Sequence, residues 1–323
     1  MLIYAGIDEA GYGPMLGPLC LGATVFVVPD HDPADGAPDL WQRLEESVCR
    51  AKRDRRQRIA VDDSKNLKLA KSSKTHPLKH LERGVLAFLG HFGGRLPEQD
   101  ADMFSLLNVT CPETPWYATV SPLPLAHHAD ELRIVISRLA RTLEDSGVEF
   151  AGMTCEAIDA GDFNAQVTRT NSKAGVNLTA ALRLVDRIWR KWPDAHPRVI
   201  LDRHGGRTHY REDLQFAWPD AHLTILAEQA DISRYRLNRS GSQLTVTFQC
   251  EADRMHFPVA LASMTAKYVR ELFMLRLNRF FCAQCPELKP TAGYVQDARR
   301  YLSEIESVLI ARQIDRQALI RVR

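Results

Sequence analysis

The chain begins with the stretch Leu2-Ile3-Tyr4-Ala5-Gly6-Ile7-Asp8-Glu9-Ala10-Gly11-Tyr12-Gly13-Pro14. Its apolar part predicts a buried strand, which two adjacent carboxylates follow and a Gly-X-Gly-Pro turn ends. Carboxylates at the end of a buried strand lose hydration energy unless a basic group or a metal ion compensates them. The stretch therefore predicts that partners for these two carboxylates lie elsewhere in the chain.

The same pattern, a strand followed by an acidic side chain, occurs twice more. The apolar run 199–201 precedes Asp202, and the alternating run 244–248 comes shortly before Asp253. If these strands are neighbours, four carboxylates converge at one edge of the sheet, where hard cations such as Mg²⁺ or Mn²⁺ would offset their repulsion. An aspartate after a strand is more often a helix cap or a turn residue, so the residues alone leave both interpretations open.

Composition narrows the class of protein. The chain has 323 residues, 45% hydrophobic and 25% charged, which suits a globular protein with a sizeable core. The net charge of +2 neither requires nor excludes a nucleic-acid partner. Seven irregularly spaced cysteines argue against a disulfide framework, and the start lacks the pattern of a signal peptide. We expect a cytoplasmic protein that has no membrane partner.

The order of the predicted elements favours an α/β fold, with helices between and after the strands. Apolar and alternating runs predict strands at residues 2–7, 19–28, 199–202, 223–227 and 244–248. Helical spacing and capping residues predict helices at residues 130–144, 178–189 and 257–281. A strongly basic stretch, residues 52–58, fits either a solvated helix face or a patch that contacts phosphates.

Several blocks of the chain, in the family's order, resemble those of the type 2 ribonucleases H, called ribonuclease HII in prokaryotes. The blocks are Gly6–Pro14 with Gly17–Pro18, Asp63–Leu67, Val199–Asp202, Glu251–Arg270 and Ala292–Tyr294, and the segment Glu156–Trp189 is loosely similar to a further one. Their co-occurrence is far more specific than any single block. Residues 74–150 and part of 203–243 lie outside the blocks and look like insertions.

The resemblance implies a ribonuclease H-like fold, in which helices flank a mixed β-sheet and a helical extension follows at the C-terminus. We expect one domain over residues 1–323, with an insertion at 74–150 and the extension at about 286–323. It also implies an enzyme that acts as a monomer. Its substrate would be the RNA strand of an RNA–DNA hybrid, or a ribonucleotide embedded in duplex DNA, cleaved to 3′-hydroxyl and 5′-phosphate ends.

The resemblance assigns site residues by position. The expected ligands of two Mg²⁺ or Mn²⁺ ions are Asp8, Glu9, Asp202 and Asp253. Backbone phosphates would be contacted by Ser64 and Lys65, and the ribose 2′-hydroxyl by the backbone of Gly11, Tyr12 and Gly13. A sugar next to the cleavage site would stack on Tyr294.

The chain departs from the family at Tyr12, where the usual residue is Arg or Lys, and the change removes a cation near a phosphate. Two alternative functions therefore remain open. One is a nuclease of the same superfamily with a different nucleic-acid substrate, and the other is a non-catalytic nucleic-acid-binding relative. Four repelling carboxylates disfavour the second, because a binding protein has no use for them.

Two other motifs carry less information. The glycines at 11, 13 and 17 have the wrong spacing for a dinucleotide-binding loop. The lone CxxC at 282–285 lacks a second pair, so a structural or incidental role is favoured over zinc binding.

Overall fold

A seven-stranded mixed sheet forms the centre of the fold. The structure, a computed structural model, describes residues 1–69 and 75–322. The strands of this part are β1 Leu2–Ala10, β2 Leu19–Val28, β3 Val48–Cys49, β4 Ile59–Ala60, β5 Glu149–Ile158, β6 Arg198–Asp202, β7 His222–Glu228, β8 Ile232–Arg239 and β9 Ser242–Gln249. The large sheet has the order β5-β2-β1-β6-β9-β8-β7, and β3 pairs with β4 separately. The central strands β1, β6 and β9 run parallel, whereas the outer pairings are antiparallel.

Helices cover both faces of this sheet. They are α1 Leu40–Arg43, α2 Ser64–Leu67, α3 Lys79–Phe92, α4 Asp100–Leu106, α5 Ala129–Ser146, α6 Ala160–Thr170, α7 Lys173–Lys191, α8 Arg211–Ala217, α9 Ala252–Met255, α10 Phe257–Cys282, α11 Val295–Glu304, α12 Glu306–Ala311 and α13 Arg316–Leu319. The long helix α10 lies across β1 and β2 on one face, and α7 covers the same strands on the other. Each face has its own apolar core.

Close packing of α10 depends on a glycine in β1. A Cβ atom on Gly6 would lie 2.2 Å from the backbone nitrogen of Val259, closer than any side chain permits. On the opposite face, buried residues of α7 such as Val185 and Trp189 fill the second core. The opening stretch thus supplies a central strand that is packed tightly on both faces.

The predicted mixed sheet flanked by helices is confirmed. The first strand extends further than the predicted residues 2–7, to Ala10, so the carboxylate pair lies within it. The predicted helix at 130–144 is α5, which ends at Gly147 in the left-handed region with φ of 63°. The interpretation of the basic residues 52–58 as a helix face is wrong. They form turns, in which Arg58 forms an ion pair with Asp54.

The segment outside the resembling blocks, residues 74–150, contains α3, α4 and α5, with α3 packed against α5 and α10. Lys74, its first residue, lies outside the described residues. The chain after residue 286 forms the three short helices α11 to α13. That 74–150 is an insertion, and that 1–323 is one domain, stay predictions. Among the described helices, none combines the length and apolarity that crossing a membrane requires.

Candidate functional site

The pairing of two parallel strands brings the first carboxylates together. In the register of β1 and β6, Ile7 lies opposite Leu201, so the next residues, Asp8 and Asp202, are neighbours. Adjacent strands lie about 4.8 Å apart, and alternation directs both side chains to the face that α10 covers. Glu9, one residue further along β1, points to the face that α7 covers.

A short helix after β9 adds a third aspartate. The Oδ1 atom of Asp202 accepts a hydrogen bond from the backbone N–H of Ala252 at 3.0 Å, which joins the end of β6 to α9. Glu251, just before α9, has a φ of 53°, so the chain turns sharply after the strand. Asp253 therefore follows in the first turn of α9. Burial and the charges of Asp63 and Asp202 raise its pKa to about 6.

The four predicted carboxylates affect one another's ionisation. Burial raises the pKa of Asp8 well above its usual value, and the charges of Glu9, Asp202 and Asp253 add to this. Burial and the charge of Asp202 raise the pKa of Glu9. Burial also raises the pKa of Asp202. Because each ionised group disfavours ionisation of its neighbours, the cluster destabilises the fold at neutral pH unless a cation joins it.

Lys65 is a basic group beside this cluster. Burial raises the pKa values of Glu9, Asp202 and Asp253, and the ammonium of Lys65 opposes that rise for all three. Lys65 is exposed, and its backbone N–H donates to the side chain of Asp63 at 2.8 Å. Lys65 thus lies near the carboxylates, and its contact with a phosphate stays a prediction.

The predicted Ser64 is buried, with 5% of its surface exposed. Its Oγ atom accepts a hydrogen bond from Ser263 Oγ on α10 at 3.0 Å. Burial raises the pKa of Asp8, and a hydrogen bond with the Ser263 side chain opposes that rise. The two serines therefore connect α2 and α10 to the carboxylate cluster. The predicted contact of Ser64 with a phosphate stays a prediction.

On the other face of β1, Glu9 lies among polar side chains. Burial and the charge of Asp202 raise its pKa, whereas a hydrogen bond with the Asn177 side chain lowers it. The Nε2 atom of His204 lies 3.9 Å from a carboxylate oxygen of Glu9. Burial and the charge of Arg207 lower the pKa of His204 to about 4, so the imidazole is neutral at physiological pH. Its Nδ1 atom has no hydrogen-bond partner within residues 1–69 and 75–322.

The carboxylates have the chemistry of a site for a hard cation, although they are not gathered around one point. Within the described ranges, no three His, Cys, Asp or Glu side chains are arranged so that they could hold one metal ion. The donor set nevertheless consists of oxygen atoms, which Mg²⁺ and Mn²⁺ prefer. Its buried members also repel one another. These residues fit a divalent cation in kind, and binding would require their side chains to close on it.

The predicted glycine loop, Gly11–Gly13, follows β1 directly and is contacted by arginine side chains. Gly11 has a φ of 88°, and a Cβ atom there would lie 2.4 Å from Nε of Arg270. The guanidinium of Arg321 donates to the carbonyl oxygens of Gly11 and Pro14. Burial and the charge of Arg270 lower the pKa of Arg321 to about 10. Arg321 therefore holds the loop through two hydrogen bonds, and Arg270 packs against Gly11.

Another side of the same loop faces solvent. Gly13 has no atom within 4 Å of the position of an added Cβ, and Tyr12 is 41% exposed. The carbonyl oxygen of Gly293 accepts a hydrogen bond from the Met15 backbone N–H at 2.8 Å. Tyr294 follows at once and is 53% exposed. The structure thus places Tyr294 close to Met15, two residues beyond Gly13, and leaves the side chains of Tyr12 and Tyr294 exposed.

Sequence reasoning missed four side chains around the carboxylates: Asp63, Asn177, His204 and Ser263. Asp63 and Ser263 lie inside resembling blocks, so their position there was the available signal. Asn177 lies in the loosely similar segment Glu156–Trp189 and His204 lies two residues after Asp202, but their role depends on how α7 and the end of β6 approach Glu9. His209, also near Asp202 in sequence, instead lies 3.7 Å from Glu228.

Comparison with known proteins gave solved structures but no matching family model and no matching curated protein. RNase HII of Archaeoglobus fulgidus, in its complex with PCNA, is 15% identical over 100% of this chain and 95% of its own, with a TM-score of 0.44. Ribonuclease H2 of Pyrococcus horikoshii is 14% identical over 98% and 92%, with a TM-score of 0.40. Bst-RNase HIII, in complex with Mn²⁺, is 14% identical over 99% and 66%, with a TM-score of 0.39.

Proposed function

We propose that this protein is a metal-dependent endonuclease. Its substrate would be the RNA strand of an RNA–DNA hybrid or a ribonucleotide embedded in duplex DNA, and its products would carry 3′-hydroxyl and 5′-phosphate ends. The observation that carries the proposal is the register of β1 and β6, which makes Asp8 and Asp202 neighbours at the ends of parallel strands. Buried carboxylates so close to one another are typical of a site that binds cations.

In this proposal Asp8, Glu9, Asp202 and Asp253 bind Mg²⁺ or Mn²⁺. When bound, two such ions stabilise the attacking and leaving oxygens of a phosphodiester displacement. The backbone N–H of Ala252 orients Asp202 through a hydrogen bond. The nearby Lys65 would bind the phosphate as a point charge.

Recognition of the ribonucleotide would fall to the glycine loop. A backbone carbonyl or N–H of the Gly11–Gly13 segment can hydrogen-bond a 2′-hydroxyl, which DNA lacks. No atom lies within 4 Å of the position of an added Cβ on Gly13, so a sugar can approach the backbone there, which supports this role. Tyr294 would stack on the neighbouring sugar from the same side.

The test is cleavage of three labelled duplexes: one with a single ribonucleotide, one with a run of ribonucleotides, and one of DNA alone. We expect cleavage of the first two with Mg²⁺ or Mn²⁺ and none with a chelator. Asp8→Asn and Asp202→Asn should each abolish it, while Asp145→Asn, an exposed acid on α5, should not. Activity that survives chelation or either site substitution would contradict the metal site.

The same experiment separates the alternatives. Equal cleavage of all three duplexes would rule out recognition of the 2′-hydroxyl and indicate a nuclease with a different substrate. Binding of the duplexes without cleavage under any metal condition would indicate a non-catalytic relative.

A further inference from the structure

Beyond the edge of α10, the sheet carries a row of basic side chains across three strands. Arg198 of β6 lies opposite Thr245 of β9, which lies opposite Arg236 of β8. In the next row on the same face, Thr247 of β9 lies opposite Arg234 of β8. Together with these two threonines, Arg198, Arg234 and Arg236 form a surface that we call the arginine face.

The arginine face continues the sheet surface on which Asp8 and Asp202 lie. Arg198 and Asp202 are both in β6 and four residues apart, so alternation directs them to the same face. Four residues of a strand span about 13 Å. Bound atoms at the carboxylates and at the arginine face would therefore lie along one side of the sheet.

The face forms a groove rather than a flat surface. A cavity of about 220 Å³ is lined by the three arginines and also by Tyr4, Leu226 and His256. Arg234 and Arg236 are exposed, and Arg198 is partly so. The groove is open to a ligand from solvent.

No carboxylate in the described part of the chain forms an ion pair with Arg198, Arg234 or Arg236. Arg198 donates to Thr245 Oγ1 at 3.1 Å, and Arg234 to Thr247 Oγ1 at 3.3 Å. These bonds orient the guanidinium groups and leave other N–H donors toward the groove.

The three charges act on one another and on their surroundings. Burial and the charges of Arg236 and Arg234 lower the pKa of Arg198. Burial, with Arg198 and Arg236, lowers the pKa of His196 to about 4, and burial with Arg234 lowers that of His256 to about 4. Neighbouring like charges on a sheet destabilise it, so this arrangement favours a bound anion.

We propose that the arginine face binds backbone phosphates of the nucleic-acid duplex on one side of the cleavage site, an inference that rests on the proposed function. Arginine suits this task because its planar fork of donors matches the oxygens of a phosphate. The contacts would be independent of base sequence and would extend the footprint of the protein beyond the carboxylates.

The position of the face sets a length requirement. Since Arg198 lies about 13 Å along the strand from Asp202, and each base pair advances about 3.4 Å, roughly four base pairs separate the two sites. A duplex that ends closer to its ribonucleotide on that side would miss the arginine face. Arg234 and Arg236 belong to the segment 203–243, part of which lies outside the sequence blocks.

The test measures binding without metal, by fluorescence anisotropy over a series of salt concentrations. The duplexes carry one ribonucleotide, either close to an end or more than ten base pairs from both ends. For the wild-type protein, we expect the slope of log affinity against log salt to be steeper for the long-flanked duplex, by about 2 for two or three added phosphate contacts. Equal slopes for all duplexes would overturn the proposal without any substitution.

A double variant, Arg234→Gln with Arg236→Gln, assigns the difference to the face. We expect it to bind the long-flanked duplex about tenfold more weakly, with a slope smaller by about 2, and the short one as the wild type does. Arg234→Lys with Arg236→Lys should keep most of the slope, which also shows that changes in these positions leave the protein folded. Wild-type slopes in the glutamine variant would refute the assignment.

The matched control is Arg133→Gln with Arg141→Gln, two exposed arginines of α5, which packs near β5 at the other edge of the sheet. A loss as large in this control would mean that overall charge, and not the arginine face, determines binding, and would refute the proposal. The binding measurements need no cleavage, so their outcome is independent of the nuclease proposal. Failure of the nuclease proposal would be seen in a separate assay, in which the single-ribonucleotide duplex stays intact in the presence of Mg²⁺ or Mn²⁺.

Discussion

The carboxylate cluster should make the metal-free protein less stable than a variant that lacks one charge. Asp8→Asn removes the most strongly perturbed carboxylate and keeps its shape. An asparagine Oδ1 can still accept the N–H of Glu9, a bond that Asp8 makes at 2.8 Å. The variant therefore removes repulsion and the cost of burying a charge, while it retains the local hydrogen bond.

The strand spacing gives the size of the effect. Two unit charges about 5 Å apart interact with about 3 kcal/mol at an effective dielectric constant of about 20. Asp8 is 9% exposed, so solvent screens it little. Because its raised pKa lets it take up a proton and relieve part of this repulsion, we expect Asp8→Asn to raise the free energy of unfolding by about 1–3 kcal/mol at pH 8.

The assay is urea unfolding followed by tryptophan fluorescence, with a chelator and then with Mn²⁺. The folded-state pKa of Asp8 is raised, so the wild type regains stability as the pH falls through that pKa toward the usual 3.8. The difference in the free energy of unfolding between the variant and the wild type should therefore become smaller at acidic pH. Mn²⁺ should stabilise the wild type more than Asp8→Asn, and Asp145→Asn should behave as the wild type does. A metal-free variant less stable than the wild type at pH 8 would refute the reasoning.

Three further predictions concern the surroundings of the carboxylates. Lys65→Met removes the ammonium that opposes the raised pKa values of Glu9, Asp202 and Asp253. The acidic limb of the plot of kcat/KM against pH should therefore move to higher pH, and an unmoved limb would contradict this. Arg321→Ala removes the donors to two loop carbonyls, and should cost about 3 kcal/mol of stability and reduce the preference for a single ribonucleotide over DNA, as unfolding and cleavage assays would show. Tyr12→Arg should add about one phosphate contact, measured as a salt slope steeper by about 1, and an unchanged slope would mean that Tyr12 lies off the backbone path.

Much of the fold follows from the pattern of apolar residues. The buried runs at 2–7 and 199–201 predict strands, and a carboxylate after each predicts a shared edge only if the two strands are neighbours. That Asp8 and Asp202 are direct neighbours depends on the register of β1 and β6. Local sequence does not state that register, because the packing of both faces sets it.

The residues that the sequence did not predict depend on tertiary contacts. Asp63 and Ser263 reach the cluster only because α2 and α10 pack beside it. The strand β8 alternates buried and exposed side chains around Arg234 and Arg236, but it lies in a segment for which no strand was predicted. Its pairing with β9, and through β9 with Arg198, gathers charges that are far apart in sequence.

The most direct test of the metal site is a crystal of the protein grown with Mn²⁺ and measured at the manganese absorption edge. We expect anomalous density among Asp8, Glu9, Asp202 and Asp253, with the four carboxylates drawn toward it, and none at this place in crystals of Asp202→Asn. Two results at saturating Mn²⁺ would contradict the account. One is that no ion is bound at these carboxylates, and the other is that Mn²⁺ binds elsewhere on the chain and not at them.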